Sequence, residues 1–405
     1  MYTDLNYTLP QQPRITAHAR RRVAMISATY YPALGGIASQ LTAVAPALQA
    51  MGFEVHIVTK QQANRPAFEK IDDVTIHRLA TPGPRALASL AFVVQALFCL
   101  RRLRPDVIHA HELFLPTTTA VAAKMLTNSP ILVTAHAGGP CLGEVARLKK
   151  SFLSGGRLAL LRNQVDIFVA ISRLIDTEMA AVNIPAKRRV VIPNGIDMTR
   201  FVALNDADKQ ALRGRLGVSD QPIVVFTGRL ASEKRVNHLL EIWPTVRAHY
   251  PKALLWLVGD GPEEATLRQA ATPGVALIGA VANVIPYLQA ADLFVLPSVS
   301  EGFSLSTLEA LATGLPVIAT PVGAIPDFIT HGENGWIVPP DDVTALQTAV
   351  VTLLGDATLR RHLGGHARMR VVNEYSLPAV VAQLAATYAE LASKNRAATW
   401  NEQEA

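Results

Sequence analysis

"SVSEGFSLSTLEALATGLPV", residues 298–317, sets two glutamates eight positions apart, Glu301 and Glu309, around a Gly-Phe-Ser turn. The apolar run after the turn reads as a helix. One carboxylate therefore precedes a helix and the other lies inside it. Ser306 and Glu309 match the S-x-x-E pattern of a capping box, in which the glutamate reaches back to a free backbone N–H. A second reading turns both carboxylates toward a ligand held at the helix N-terminus, where unpaired N–H groups favour phosphate. The surrounding chain decides between the two.

Apolar strand patterns flank this stretch on both sides, "DLFVLPS" (292–298) and "PVIATPV" (316–322). Moving outward, the same half also holds "PIVVFTG" (222–228), "ALLWLVGDG" (253–261) and "VALIGAV" (275–281). The first half repeats the pattern at 22–28, 54–59, 74–79, 106–111, 131–136, 166–172 and 189–195. Near-continuous apolar strands that alternate with helical segments imply parallel sheets covered on both faces. Two such series predict two doubly wound α/β domains joined near residues 196–206. The closing segment "SLPAVVAQLAATYAEL" (376–391) reads as an amphipathic helix that needs a partner surface.

A chain of 405 residues is long enough for two full cores. Half of it is hydrophobic and only 17% is charged, which excludes a disordered chain. Cys99 and Cys141 form no Cys-x-x-Cys pair and no disulfide framework, consistent with a reducing compartment. "MYTDLNYTLPQQPRITAHARRR" (1–22) places its basic cluster after a polar stretch and has no apolar core of a leader. A cytoplasmic protein is the expectation. The most hydrophobic segment, "LASLAFVVQALFCL" (87–100), is too short to span a bilayer and reads as a buried helix.

Charge is unevenly divided. Residues 1–200 hold 23 Lys and Arg against 12 Asp and Glu, whereas residues 201–405 hold 15 against 20. The first half is thus the one suited to an anionic surface or substrate. No basic run is interleaved with aromatics, so a nucleic-acid platform is not expected. "EVARLKKSFLSGGRLALLR" (144–162) carries Arg147, Lys149, Lys150, Arg157 and Arg162, with apolar Val145, Leu148, Phe152 and Leu153 at roughly helical spacing before Gly155-Gly156. It reads either as a helix packed on the core or as one lying on an anionic leaflet.

Open α/β sheets bind ligands beyond the C-terminal ends of their strands. Gly35-Gly36 follows the first strand and opens a helix, His136 follows the fifth, and Arg229 and Lys234 follow the first strand of the second half. Two cations there suit a diphosphate, Arg with its fork and Lys as a point charge. At the end of a loop, Lys234 is expected to add little to stability. His109 and His111 alternate on one strand and with His136 offer a weak metal set. Gly259-x-Gly261 lacks the third glycine of a dinucleotide fingerprint, since Glu264 stands there. Asp206 and Asp208 suit helix capping.

Together, "YYPALGGIASQL", "DVIHAH", "TAHAGG", "IPNGID", "FTGRLASEKR", "LVGDGPEEATL" and "EGFSLSTLEALATGLPVIATPVGAIPDFI…GENGWIVPPDD" resemble the retaining GT-B glycosyltransferases of glycosyltransferase family 4, from about residue 22 to the final helix. The resemblance implies two Rossmann-like domains facing across a cleft, with the last helix crossing back to the first. The division expected is 1–204 plus 376–405 against 205–375. It also implies transfer of a hexose from a nucleotide sugar, UDP first and GDP second, to a sugar or lipid-linked acceptor. No cofactor and no metal are implied.

By position, Arg229 and Lys234 match the clamp on the donor diphosphate. Glu301 matches the residue facing the donor sugar, Glu309 the one on the nucleotide ribose, and His136 a donor-sugar contact. Gly302, Phe303, Ser304 and Leu305 would line the pyrophosphate, with Gly35 and Gly36 opposite. The resemblance thus favours the ligand reading of both glutamates. A nucleotide-sugar epimerase of related fold and a non-catalytic sugar-nucleotide binder are the competing functions. Four positions depart from the family pattern. Arg235 and Ser304 stand where glycine is usual, and Ala324 and Asp327 replace a common Gly and Glu. All leave the charged clamp intact and bear on donor choice.

Overall fold

The computed structural model describes residues 20–32, 35–139, 143–150 and 154–404, with Ser154 and residues 396–404 described by backbone alone. The leader reading of the N-terminus, and Cys141, Phe152 and Leu153, lie outside the described residues.

Eight strands form the first sheet: β1 (Arg22–Ile26), β2 (Glu54–Lys60), β3 (Phe68–Ile71), β4 (Val74–Leu79), β5 (Val107–His111), β6 (Ile131–Ala135), β7 (Ile167–Ala170) and β8 (Arg189–Val191). Their order is β3-β4-β2-β1-β5-β6-β7-β8, parallel except for the β3–β4 pair. Six more form the second: β9 (Ile223–Thr227), β10 (Leu254–Val258), β11 (Val275–Gly279), β12 (Leu293–Leu296), β13 (Val317–Ala319) and β14 (Trp336–Ile337). Their order is β11-β10-β9-β12-β13-β14, all parallel. Strand order reverses direction between β1 and β5 and again between β9 and β12, so each sheet has a switch point where a crevice opens.

Side-chain alternation divides the central strands of the first sheet between two cores. Val23 and Met25 of β1 face one apolar cluster, while Ala24 and Ile26 face the other. Every strand expected from the sequence is present, but several stop early where turn chemistry takes over. The expected strand at 253–261 ends at Val258, because Gly259 (φ 139°) and Gly261 (φ 156°) turn the chain. β3 and β14 were not expected. β3 is an edge strand hairpinned to β4 through Asp72 and Asp73, whose φ values of 48° and 64° are those of a primed turn.

The final helix, Leu377–Glu404, buries Val380, Val381, Leu384, Tyr388 and Leu391 against Val23, Met25 and Leu41 of the first domain. The two crossing segments run side by side. Ile196 N–H donates to the Tyr375 carbonyl at 2.9 Å and Leu377 N–H to the Ile196 carbonyl at 2.8 Å. Gly195 keeps this crossing close, since a Cβ would sit 3.1 Å from Leu377 Cα and press the two segments apart. The Gln40 amide brackets Gly195, donating to its carbonyl at 2.8 Å and accepting from its N–H at 3.0 Å.

Three expectations are corrected. The 87–100 segment forms a helix, Arg85–Leu103, but it is not buried all round. Phe92, Ala96 and Leu100 enter the core while Leu87, Leu90, Val94 and Phe98 remain exposed. It is also the one helix among the described residues long and apolar enough to cross a membrane. Its core contacts make it an integral part of the domain. The 144–162 segment is two helices, Glu144–Lys149 and Ser154–Gln164, the second containing Gly155 and Gly156. Val145 and Leu148 are buried, so the first helix turns its apolar face to the core, not to a leaflet. Asn205 caps the helix Asp206–Arg215, accepting from Asp208 N–H at 2.9 Å, and the two aspartates occupy its first turn.

Candidate active site

The residues singled out from sequence gather at the two switch points. Gly35-Gly36 follows β1 and His136 follows β6; Arg229 and Lys234 follow β9, and Glu301 follows the neighbouring β12. The two sides meet closely. A Cβ on Gly302 would lie 3.2 Å from the His136 carbonyl, and one on Gly36 would lie 3.8 Å from Leu305 Cδ1. Any side chain at Gly302 would crowd the opposing turn.

Lys234 ends a short 3-10 turn, Ser232–Lys234, and its Nζ donates to both Glu301 oxygens at 2.7 Å. Glu301 is buried and accepts a third bond, from Ser298 Oγ at 2.7 Å. Val299 N–H donates to the Glu233 carbonyl at 2.9 Å, tying the β12 loop to the same turn. One cation and one carboxylate therefore hold each other at the sheet edge. The exposed Arg229 side chain has no hydrogen-bond or ion-pair partner among the described residues.

Glu309 sits inside the helix Leu305–Ala312 and its carboxylate bonds nothing among the described residues. Burial pushes its pKa up to about 7, opposed by the Arg200 charge. The capping box is absent. The cap position is Ser304, with no side-chain cap bond, so the capping account of Glu309 fails. Phe303 is turned into the core beside Phe328 at 5.6 Å and Tyr375 at 6.5 Å, leaving only its backbone for a ligand.

The departures at Arg235 and Ser304 acquire a physical reading. Both have left-handed backbones, φ 51° and 59°, the region that favours glycine. Arg235 is held there by Asp341, to which its Nε donates at 2.7 Å. Ser304 is held by a hydroxyl pair with Thr307 at 2.9 Å. Ser304→Gly should therefore raise stability by about 1 kcal/mol, the strain of a non-glycine residue in this region less one hydroxyl bond. Thermal unfolding checks it, and a lower melting temperature would contradict the strain. At Ala324 the backbone is ordinary (φ −87°) and its N–H donates to the Gly302 carbonyl at 3.0 Å. Asp327 reaches across to the first domain and accepts from Arg173 N–H at 2.8 Å.

The three histidines engage neighbours and do not converge on a metal position. His109 bonds Tyr388 Oη at 2.6 Å and Thr134 Oγ1 at 2.7 Å. His111 Nδ1 lies 3.0 Å from His136 Nε2. No group of three metal-binding side chains is present among the described residues. Burial lowers all three pKa values, that of His136 to about 4, so His136 is a neutral imidazole at neutral pH.

Sequence reasoning missed Glu144, which is buried and accepts from the backbone N–H groups of Leu113, of His136 at 2.7 Å and of Ala137 at 3.3 Å. It thereby fixes the loops after β5 and β6 to one another. Burial raises its pKa to about 7 against those three donors. Glu112 was missed as well. It directly follows β5 with φ 84°, a strained value that for a non-glycine residue often marks a functional edge. The after-strand rule applied to β5 would have found it. Beside it, Arg147 lies over the Phe114 ring at 4.5 Å.

Gly259 and Gly261 have a structural reason that replaces the failed fingerprint. A Cβ on Gly259 would fall 1.9 Å from the Gly228 carbonyl oxygen, and one on Gly261 would fall 2.3 Å from that of Leu230. The turn after β10 is thus pressed against the loop that carries Arg229.

Comparison with known proteins agrees with this architecture. A family model described as Glycosyltransferase Family 4 matches residues 34–200, and one described as Glycosyl transferases group 1 matches residues 221–356. N-acetyl-alpha-D-glucosaminyl L-malate synthase of Bacillus anthracis is 28% identical over 381 residues, which is 90% of this chain and 96% of that one. A Bacillus subtilis protein named for glycosyl transfer in teichuronic acid biosynthesis is 32% identical over 298 residues, 71% of this chain and 72% of the relative. The solved structure of sucrose-phosphate synthase from Thermosynechococcus elongatus superposes with a TM-score of 0.77 at 25% identity, covering 93% of this chain and 100% of that one. Fold and site together define a glycosyltransferase of the GT-B class. The chain belongs to glycosyltransferase family 4.

Proposed function

We propose that this glycosyltransferase transfers a hexose, with retention of anomeric configuration, from a nucleoside-diphosphate sugar to a hydroxyl of a sugar or lipid-linked acceptor. The observation that carries the reading is the pairing of prepared charges at the second switch point. Lys234 and Glu301 are locked together there, and the same domain holds a free Arg229 guanidinium and a partly buried, unbonded Glu309 carboxylate. A half-buried carboxylate with no protein partner is open to a ligand that supplies hydroxyl donors. Ribose hydroxyls would complete Glu309, and a diphosphate would complete Arg229.

Double displacement needs a free carboxylate beneath the anomeric carbon. Glu301 is engaged by Lys234 and Ser298, so front-face transfer is the better account. In that scheme the bond from the anomeric carbon to the diphosphate oxygen breaks. The acceptor oxygen bonds the same face, and its proton passes to the departing diphosphate. Arg229 and Lys234 stabilise the charge that develops on the leaving group. His136, neutral and positioned by Glu144 and His111, is suited to a hydrogen bond with a donor-sugar hydroxyl. Glu112 and Arg147 lie on the acceptor side.

A donor screen tests the proposal. UDP- or GDP-sugars should raise the melting temperature, and the donor that does so should support transfer in the presence of chelator, with the axial or equatorial linkage preserved in the product by NMR. An isomerised donor without acceptor would indicate an epimerase instead. Stabilisation without any turnover would indicate a binding protein.

A further inference from the structure

The helix Arg85–Leu103 leaves an apolar stripe uncovered. Leu87, Leu90, Val94 and Phe98 recur every three or four residues on its outer face, with Leu90 61% and Phe98 70% exposed. The stripe runs about 16 Å at the usual helical rise. The neighbouring helix Leu115–Thr127 packs alongside and adds Met125, 88% exposed, and Leu126. Exposed apolar side chains recurring along one helix face mark an interaction site.

Charge identifies what it meets. Arginines bracket the stripe, Arg85 at its start and Arg101, Arg102 and Arg104 at its end, all exposed. None of the four side chains has a hydrogen-bond or ion-pair partner among the described residues. No acidic residue occurs anywhere from Val74 to Pro105, nor in Leu115–Thr127. Two copies meeting through this face would press like charges together. An apolar face between unpaired cations instead fits the boundary of an anionic bilayer, apolar side chains among acyl chains and guanidinium groups among phosphates.

We propose that the exposed face of Arg85–Leu103, extended by Met125 and Leu126, docks on an anionic lipid surface. The site is separate from the helix Glu144–Lys149, whose Val145 and Leu148 are buried, and it uses four of the cations that make the first half of the chain basic. It also stands independently of the donor assignment, because donor binding is read in a separate assay.

Co-sedimentation of the full chain with phosphatidylcholine vesicles, with and without phosphatidylglycerol, tests it. Binding is expected to the anionic vesicles only and should weaken with salt. Phe98→Ser should reduce it about tenfold through lost apolar burial, and Arg101→Ala about fivefold. Both changes are at exposed positions, so melting temperature and donor binding should stay unchanged. Failure to bind anionic vesicles at low salt would overturn the proposal. So would loss of binding in a Lys149→Ala, Lys150→Ala variant while Phe98→Ser binds normally. A dimer seen by light scattering that Phe98→Ser dissolves, without vesicle binding, would assign the face to a second copy instead.

Discussion

Lys234→Ala is expected to lower turnover by about 10²–10³-fold, the effect of losing one donor to charge that develops in the transition state. The structure adds a second consequence. Lys234 is the only cation bonded to the buried Glu301 among the described residues, with Ser298 Oγ the remaining partner. Removing it strands that carboxylate, at a cost of about 1–3 kcal/mol in stability. The expectation that a loop-end cation contributes little is therefore revised. The two effects separate in Ser298→Ala, which takes a hydrogen bond from Glu301 but leaves the cation. That variant should lose stability while keeping turnover within about tenfold of wild type. Near-normal turnover in Lys234→Ala would remove it from the diphosphate clamp.

Glu309→Gln should weaken donor binding by about ten- to a hundredfold, because a charged acceptor for the ribose hydroxyls becomes neutral. Its effect on the free protein should have the opposite sign. Burial raises the Glu309 pKa from 4.5 to about 7, so the folded chain keeps this proton where the unfolded chain releases it. Stability linked to this group is present below pH about 4.5 and is lost as pH rises to about 7. Glutamine carries no charge to bury, so the variant should be more stable than wild type at pH 8 and should show a shallower decline over that interval. Glu144, raised to about 7 for the same reason, contributes the decline that persists. Unchanged donor affinity in Glu309→Gln would detach this residue from the nucleotide.

Much of the architecture was legible because parallel strands buried on both faces are written as unbroken apolar runs. Edge strand β3 was not, since "FEKI" sets two adjacent charged residues between its apolar ends, which breaks the period-2 pattern, and Asp72-Asp73 is a weaker turn signal than Asn-Gly. The helix Arg85–Leu103 shows a different limit. Hydrophobicity records that both of its faces are apolar but not which one the fold covers. At the candidate site, the rule that ligands meet strand ends singled out His136, Arg229, Lys234 and Glu301, which the structure places after β6, β9 and β12. It did not reveal that Lys234 and Glu301 bond each other, a relation set by the adjacency of β9 and β12 across 67 residues of chain. Glu144 escaped because it works through backbone N–H groups, which leave no pattern in sequence. The glycine substitutions at Arg235 and Ser304 looked like changes of donor preference, and only their positive φ shows that local backbone strain is involved.

The central claim is that the edge of the second sheet, at β9 and β12, binds a nucleoside diphosphate through Arg229, Lys234 and Glu309. Calorimetric titration of UDP, and then GDP, into the wild-type chain and into Arg229→Ala tests it most directly. The account predicts saturable one-site binding of at least one of them to the wild type, weakened about tenfold or more in the variant by loss of a charge-assisted contact. No binding of either nucleotide, or equal affinity in wild type and Arg229→Ala, would contradict it.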